Sequence, residues 1–193
     1  MKDRPPTRRS APRKGTPPAL GLAVRIQARR WREVGDVRAL IDQAVEAGLA
    51  VAPVQPLEGA ELSLLLTDDK RIRIVNRDWR GFDKATNVLS FPAAPPERIA
   101  MSPVLGDIVV ALDTVEREAA SEEKSVADHF RHLVIHGLLH LLGEDHETAA
   151  EAERMEALEV AALARLGIAD PYADSDLVAE APPNPPTVSS TSS

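Results

Sequence analysis

The chain contains no cysteine. Disulfides and thiolate metal ligands are therefore excluded, and any bound metal must be held by nitrogen and oxygen atoms. Aromatic residues are also scarce, at 3% of the 193 residues, whereas hydrophobic residues make up 44%. The core must consequently be built from leucine, valine, isoleucine and alanine, and the length suits one domain with tails.

Long apolar segments are absent as well. No run approaches the roughly 20 residues that are needed to span a bilayer. The N-terminus is basic, but no apolar segment with a cleavage site follows it, which argues against a secretory signal. We therefore expect a cytoplasmic protein with no membrane partner.

Charge is distributed unevenly along the chain. The net charge is −7, but residues 1–18 carry +5, which leaves −12 for the remainder. An acidic body is unfavourable for nucleic-acid binding, because neutralising phosphates requires cations. DNA is not an expected partner, and any contact with RNA must use a local basic patch.

The two ends differ in composition from the middle of the chain. Residues 1–18 are basic and rich in proline and arginine, and residues 173–193 are rich in proline and serine; both have little to bury and are expected to be disordered tails around a domain at 19–172. Within it, periodicity and capping residues predict strands at 20–26, 61–67, 87–91 and 106–112, helices at 36–48, from 68, 125–142 and 147–166, and a loop at 93–103. This pattern indicates an α+β fold, in which a mixed sheet of about four strands is packed with helices.

All five histidines of the chain lie between positions 129 and 146, in the run HFRHLVIHGLLHLLGEDH. His136 and His140 are four residues apart, so a helix places them on one face, where two imidazoles can share a metal ion. Gly143 can end that helix in a left-handed conformation, and the chain can then bring His146 to the third ligand position. The pattern predicts a metal site on a helix and the turn after it.

Three nitrogen ligands leave one tetrahedral position open for water, which is typical of a catalytic zinc site. The spacing resembles that of metzincin proteases, but their catalytic glutamate is replaced here by Gly137. A peptidase is therefore a poor fit. His129 and His132 lie on the same helical stripe, and either support the ligands or are solvated residues near the cleft.

Three sequence blocks carry a resemblance to one family. HGLLHLLGEDH resembles the signature of the YbeY endoribonucleases, KATNVLSFP at Lys84–Pro92 resembles their T-[DN]-V-L-S-F-P block, and LGDIVV at Leu105–Val110 resembles their L-G-D-I stretch. DPY at Asp170–Tyr172 is similar to the usual ending. Ala85 and Asn87 stand where many members have proline and aspartate.

The resemblance implies a zinc-dependent endoribonuclease that is specific for single-stranded RNA. It further implies action on ribosomal RNA and the small ribosomal subunit, in maturation of the 3′ end of the small-subunit RNA and in ribosome quality control. One Zn²⁺ would be bound by His136, His140 and His146. The family's functional arginine, which precedes the second block, corresponds to Arg80.

The residue types agree with phosphodiester chemistry. Cleavage builds negative charge on the phosphate, which a metal ion and a guanidinium stabilise together. Arg80 can donate two hydrogen bonds to a phosphate. It belongs to the densest basic cluster of the acidic body, a possible RNA patch or a solvated helix face, formed by Lys70, Arg71, Arg73, Arg77, Arg80 and Lys84.

The remaining acids have structural interpretations. Asp107 is expected to be a structural acid at a strand edge, and Ser90 has no evident catalytic partner. The glutamates of the last helix, Glu151, Glu153, Glu156 and Glu159, are expected to form its solvent-exposed face. The alternative to an enzyme is a non-catalytic ribosome-assembly factor with a structural zinc, which requires a fourth protein ligand such as Asp145, Glu144 or Asp107.

Overall fold

A computed structural model describes residues 18–173 of the chain. The predicted disordered tails lie outside these residues, apart from Pro18 and Ala173, and remain predictions. The strands are β1 Gly21–Ile26, β2 Glu61–Thr67, β3 Val88–Pro92 and β4 Val104–Ala111, and the α-helices are α1 Val37–Val51, α2 Asp69–Arg80, α3 Leu112–Ser121, α4 Val126–Leu141 and α5 Ala149–Arg165. Within the described residues, no helix is both long and apolar enough to cross a bilayer.

The four strands form one mixed sheet in the order β1-β2-β4-β3. Strands β1, β2 and β4 are parallel, and β3 runs antiparallel to β4 at the edge. Pro92 is tolerated at the end of β3 because an edge strand leaves one row of N–H groups unpaired. The predicted α+β fold is thus confirmed. Asp107, however, lies within β4 between two partner strands, so its assignment to a strand edge is wrong.

The two faces of the sheet are covered differently. Alternate residues of β2 and β4, such as Leu64 and Ile108, join α1, α4 and α5 in the main core. The opposite face packs on α2, through a smaller cluster that includes Ile72 and Val109. Trp31 and Phe130 are the aromatic residues of the main core, with ring centroids 4.7 Å apart. The aliphatic core predicted from composition is therefore confirmed.

Capping residues set the starts of the predicted helices, but one predicted end is wrong. Asp36 accepts a hydrogen bond from the backbone N–H of Ala39 at the start of α1. Gly48 does not end this helix, which continues to Val51. Its missing side chain serves packing instead, because a Cβ at Gly48 would lie 2.9 Å from Leu138 Cδ2 on α4. A side chain at position 48 would therefore require the end of the Leu138 side chain to move.

Three short elements are not evident from the sequence. Helix α3 follows β4 directly and has no side-chain cap, so no capping signal marks its start. Short 3₁₀ helices form at Arg29–Glu33 and, inside the predicted loop, at Pro96–Met101. The second of these lies against the turn after α4, since a Cβ at Gly143 would be 3.1 Å from Pro96 Cβ.

Helix α4 and the turn after it determine where the histidines lie. Ser125 caps the helix by accepting from the backbone N–H of Asp128. At the other end, Gly143 has a φ of 90°, a conformation that favours glycine and redirects the chain. Helix α5 then begins with a capping box between Thr148 and Glu151 and packs on α4. The bend predicted from Gly143 is confirmed.

Candidate metal centre

Three imidazoles converge at the end of α4. His136 and His140 lie one turn apart on the helix, and their Nε2 atoms are 3.1 Å apart. His146, in the turn before α5, brings a third ring nitrogen, and one nitrogen from each ring lies within 4.8 Å of the others. His136 and His140 are half-buried, whereas His146 is exposed. The sequence-predicted cluster on a helix and the following turn is confirmed, and it can hold one metal ion.

The Nδ1 atoms of two candidate ligands, His136 and His140, each have a hydrogen-bond acceptor nearby. His136 Nδ1 lies 2.7 Å from Glu159 Oε1, and His140 Nδ1 lies 3.0 Å from the backbone oxygen of Glu144. Both partners are acceptors, so each Nδ1 must carry the proton and donate it. In a neutral imidazole Nε2 is then the acceptor nitrogen, and the Nε2 atoms of His136 and His140 face each other in the cluster. This is the arrangement in which histidine ligates a metal while a carboxylate or carbonyl orients the ring.

Glu159 connects His136 to two residues outside the cluster, His132 and Tyr172. It is 1% exposed, and its second oxygen, Oε2, accepts from Nε2 of His132 at 2.6 Å and from the hydroxyl of Tyr172. The prediction of a solvent-exposed glutamate face on α5 is therefore wrong for Glu159. Its neighbour Glu156 is exposed, as predicted. Glu159 is buried because α5 packs on α4 through the surface that carries the histidines.

Electrostatics favour the metal-binding forms of these groups. Burial lowers the pKa of His140 to about 4, assisted by the neighbouring imidazoles of His136 and His146. A neutral ring at physiological pH is the form that coordinates a metal. Burial alone would raise the pKa of Glu159, but hydrogen bonds from His132 and His136 outweigh it and lower the pKa to about 2. Glu159 is thus a charged acceptor.

Arg80 lines the same cleft as the three histidines. It is the last residue of α2, and Gly81 ends the helix in the left-handed region, with a φ of 79°. The Arg80 Nη2 atom donates to the backbone oxygen of Ser90 at 2.8 Å, and the guanidinium lies 5.7 Å from the centroid of the Phe91 ring. These contacts to β3 hold a cation at the wall of a cleft of about 680 Å³.

The acids proposed from the sequence as a fourth ligand are engaged elsewhere. Glu144 Oε1 lies 2.7 Å from Arg154 Nη2. Asp145 lines the histidine cleft, but its Oδ1 atom accepts from the backbone N–H of His146 at 2.8 Å, lies 4.0 Å from His140 Nδ1 and is outside the group of converging ligand atoms. Asp107 lines a hollow on the sheet face covered by α2, away from the histidine cleft. Among residues 18–173, the group of converging ligand atoms therefore consists of three histidines.

Gly137 has a packing role that explains the absent protease glutamate. A Cβ there would lie 3.0 Å from Ser90 Oγ and 3.1 Å from Ile108 Cδ1. The helix thus lies directly on the sheet at this position, and a longer side chain would require Ser90 and Ile108 to shift. Ser90 is itself buried at this contact, which gives it a structural position. The exclusion of the metzincin mechanism from the sequence agrees with this geometry.

The two other histidines and the basic cluster have different surroundings. His132 supports Glu159, whereas the buried His129 bonds through Nε2 to Glu118 at 2.9 Å, away from the ligand cluster. In the basic cluster, three arginines form exposed ion pairs with nearby aspartates, namely Arg71 with Asp68, Arg73 with Asp83 and Arg77 with Asp78. Arg80 and Lys84 are the members that line the histidine cleft. The basic cluster therefore does not act as one patch: three of its arginines are paired with aspartates, whereas Arg80 and Lys84 face the histidine cleft.

Sequence reasoning missed Glu159, Tyr172 and the carbonyl of Glu144 as supports of the ligands. The sequence does contain an indication that Glu159 is buried, because it lies between Met155 and the pair Ala162 and Leu163, which are buried in the same helix. Residues 155, 159, 162 and 163 are spaced as one helical face, which placed Glu159 on the buried stripe. Tyr172 gave no such signal, since it lies in the turn after the last helix.

Comparison with known proteins gives a consistent result. The profile of the family described as Endoribonuclease YbeY matches residues 25–167. The endoribonuclease YbeY of Rhizobium meliloti is 50% identical over 163 residues, which cover 81% of this chain and 96% of that protein. The corresponding protein of Azorhizobium caulinodans is 52% identical over 155 residues, covering 80% and 97%.

A solved structure shares the fold. The solution structure of TM1509 from Thermotoga maritima aligns with a TM-score of 0.50 at 20% identity, and covers 86% of this chain and 100% of that one. At this identity the likeness concerns the fold alone. The sequence relatives are named endoribonucleases, enzymes that hydrolyse phosphodiester bonds within RNA. By its profile match and its relatives, this chain belongs to the YbeY endoribonuclease family.

Proposed function

We propose that this protein is a zinc-dependent endoribonuclease that cleaves single-stranded RNA. Its site would be formed by His136, His140 and His146 as metal ligands, with Arg80 as the catalytic cation. The observation that carries the proposal is the presence of Arg80 and all three imidazoles in one cleft. Cleavage of a phosphodiester requires both an electrophilic metal and a cation for the developing negative charge.

The donor set fits one zinc ion. Three neutral nitrogen ligands with an open fourth position are typical of catalytic zinc, and the chain offers no sulfur from cysteine. A zinc ion bound there would supply an electrophile and an acidified water molecule. The carboxylate of Glu159 and the carbonyl of Glu144 keep His136 and His140 in the tautomer and orientation that this requires.

Arg80 would bind the phosphate to be cleaved. Its guanidinium is fixed by the backbone oxygen of Ser90 and by the Phe91 ring, so little further ordering is needed when a phosphate arrives. The planar group can donate two hydrogen bonds to phosphate oxygens and stabilise the charge that develops on them. Its role would be to position the phosphate and stabilise its charge, while a metal ion held by the three histidines would supply the nucleophilic water.

Preference for single strands follows from the depth of the site. His136 and His140 are half-buried, so a phosphate must enter the cleft to approach them. A flexible single strand can place one phosphate there, whereas the stacked backbone of a duplex is more rigid and wider. We further propose that the substrates are ribosomal RNA and the small ribosomal subunit, with action in the cytoplasm in 3′ end maturation of the small-subunit RNA and in ribosome quality control.

The competing function is that of a ribosome-assembly factor with a structural zinc. It predicts a closed metal site with four protein ligands. The engagement of Glu144 by Arg154 and of Asp145 by the backbone of His146 favours the open, catalytic site. The two functions differ in whether purified protein cleaves RNA at all.

The test combines metal analysis with cleavage assays on purified protein. We expect about one zinc per chain, cleavage of an unpaired RNA but not of the same sequence in a duplex, loss of cleavage with chelator and recovery on adding metal. Casein should not be hydrolysed. Stoichiometric zinc without any RNA cleavage would support the assembly factor, and chelator-sensitive peptidase activity would overturn the reaction class.

A further inference from the structure

The few aromatic residues of this chain are distributed in a way that points to the substrate. There are six of them. Trp31 and Phe130 are buried, and Phe91 and Tyr172 are half-buried. The two exposed aromatics, Trp79 at 77% and Phe82 at 59%, lie within two residues of Arg80.

Only one of these two exposed rings lines the histidine cleft. Phe82 lines it together with Arg80 and Lys84. Trp79 lines instead the hollow on the sheet face, where its ring meets Phe91 edge-on at a centroid distance of 6.0 Å. An exposed single hydrophobic residue needs no explanation in general. A phenylalanine at the mouth of a cleft that contains a candidate catalytic arginine is a more specific arrangement.

The turn that carries Phe82 is held by its own hydrogen bonds. The backbone N–H of Phe82 donates to the oxygen of Asn76, and that of Lys84 donates to the oxygen of Phe82. The buried Asn76 also donates its side-chain amide to the oxygen of Lys84 at 2.9 Å. The ring is thus presented to solvent from an ordered backbone, so little conformational entropy is lost when a flat group covers it.

The charges around the ring suit a polyanion. Lys84 Nζ lies 5.9 Å from the centroid of the Phe82 ring. The one acid of the turn, Asp83, is held by two hydrogen bonds from Arg73, at 2.8 and 2.7 Å. This pairing offsets the charge of Asp83 and leaves Arg80 and Lys84 as the cations nearest Phe82 in the cleft lining, which also includes the acids Glu144, Asp145 and Glu147.

We propose that Phe82 is a stacking platform for a base of the RNA strand, next to the phosphate bound at Arg80, and that Lys84 contacts an adjacent phosphate. The inference rests on the proposed endoribonuclease function and identifies the part of the substrate that is bound. Bases in single strands are free to stack on aromatic side chains, whereas bases in a duplex are already stacked and paired. Phe82 therefore contributes to the preference for unpaired RNA.

A set of variants of the full-length, metal-loaded protein tests this platform. Phe82→Ala removes the ring, Phe82→Leu keeps an apolar side chain without a π face, and Phe82→Trp keeps the aromatic face. Met101→Ala is the matched control, because Met101 is 69% exposed and lies outside the cleft lining. Single-turnover cleavage of a short unstructured RNA gives the concentration for half-maximal rate and the maximal rate for each variant.

We expect Phe82→Ala and Phe82→Leu to raise the half-saturating concentration by roughly tenfold, the effect of losing one stacked base. The maximal rate should change little, and Phe82→Trp and Met101→Ala should resemble wild type. RNA should also quench the fluorescence of the tryptophan introduced in Phe82→Trp. This quenching should exceed any change that RNA causes in the fluorescence of the wild-type protein. An abasic strand of equal length should not quench the introduced tryptophan.

The outcomes separate this inference from the proposed function. If wild type binds RNA but does not cleave it, the endoribonuclease proposal fails, and the fluorescence and affinity measurements still test the platform. Wild-type behaviour of Phe82→Ala in an active enzyme would overturn the platform alone. Retention of RNA affinity in Phe82→Leu would also overturn it, because it would indicate a simple apolar contact. A loss of RNA affinity confined to Trp79→Ala would place base binding on the sheet face instead.

Discussion

The Glu159 carboxylate lies 2.7 Å from the Nδ1 atom of His136, a contact between helices α5 and α4 across 23 positions of sequence. Its other oxygen accepts from His132 at 2.6 Å and from the hydroxyl of Tyr172. One buried carboxylate thus fixes the first proposed ligand and connects it to the C-terminal turn. This arrangement makes Glu159 a positioning residue whose contribution can be measured separately from the ligands.

Glu159→Gln should weaken metal binding without removing any ligand. The amide is nearly the same size, but it lacks the charge and must turn an N–H₂ group toward either His132 or His136. We expect metal affinity to fall by about 10- to 100-fold, as for other groups that orient histidine ligands. Competition with a chromophoric chelator measures this change. Glu156→Gln, an exposed change on the same helix, is the control, and equal affinities in both variants would contradict the positioning role.

His136→Ala combined with His140→Ala should abolish metal binding. Two of three nitrogen donors are lost, and the remaining His146 is exposed and cannot retain zinc by itself. Elemental analysis of the purified variant checks this result. His129→Gln is the matched control, since His129 bonds to Glu118 outside the ligand cluster and should keep the wild-type zinc content. Full zinc occupancy in the double variant would refute the three-histidine site.

Arg80→Lys should slow cleavage while leaving the metal in place. The charge is kept, but the planar group that donates two parallel hydrogen bonds is lost. We expect the single-turnover rate to fall by about 10²-fold, the scale of losing one donor to the transition state. RNA affinity should fall only modestly, because one phosphate contact is a small part of the electrostatic term.

The control for Arg80 is Arg77→Lys, on the same helix, where Arg77 is paired with Asp78 in solvent. That variant should cleave at the wild-type rate. An unchanged rate in Arg80→Lys would remove Arg80 from the active site. If the protein is instead a non-catalytic ribosome-assembly factor, the same substitution should weaken RNA binding alone, because there is no cleavage to lose.

Gly137→Glu would restore the glutamate of the protease motif, yet it should yield no peptidase. The new side chain would have to enter the contact between α4 and the sheet, where Ser90 and Ile108 already lie within 3.1 Å of a Cβ position. We expect the free energy of unfolding to fall by about 3 kcal/mol or more, from overpacking and from burial of a carboxylate. Denaturant unfolding measures it, with the exposed Ala161→Glu as the control. A stable Gly137→Glu protein would show that this contact can open.

Local chemistry explains how much of the fold could be predicted. The strands alternate or are continuously apolar, and the helices at Asp36, Asp68 and Ser125 begin at side chains that cap them. Helix α3 was missed because it has no capping side chain and follows a buried strand directly. The end of α1 was misplaced because Gly48 serves contact with α4, which a sequence pattern does not distinguish from a helix stop.

The geometry of the metal centre could likewise be predicted only in part from the sequence. The sequence by itself determined the convergence of the three histidines, because helical spacing places His136 beside His140 and the left-handed Gly143 returns the chain to bring His146 near them. Only the tertiary structure decided which nitrogens face inward, since that depends on Glu159 arriving from another helix. It also decided that Arg80 and Phe82 share the cleft, because packing of α2 on the opposite sheet face sets where that helix ends. Contacts over short separations follow from backbone geometry, whereas contacts between helices depend on how the whole core packs.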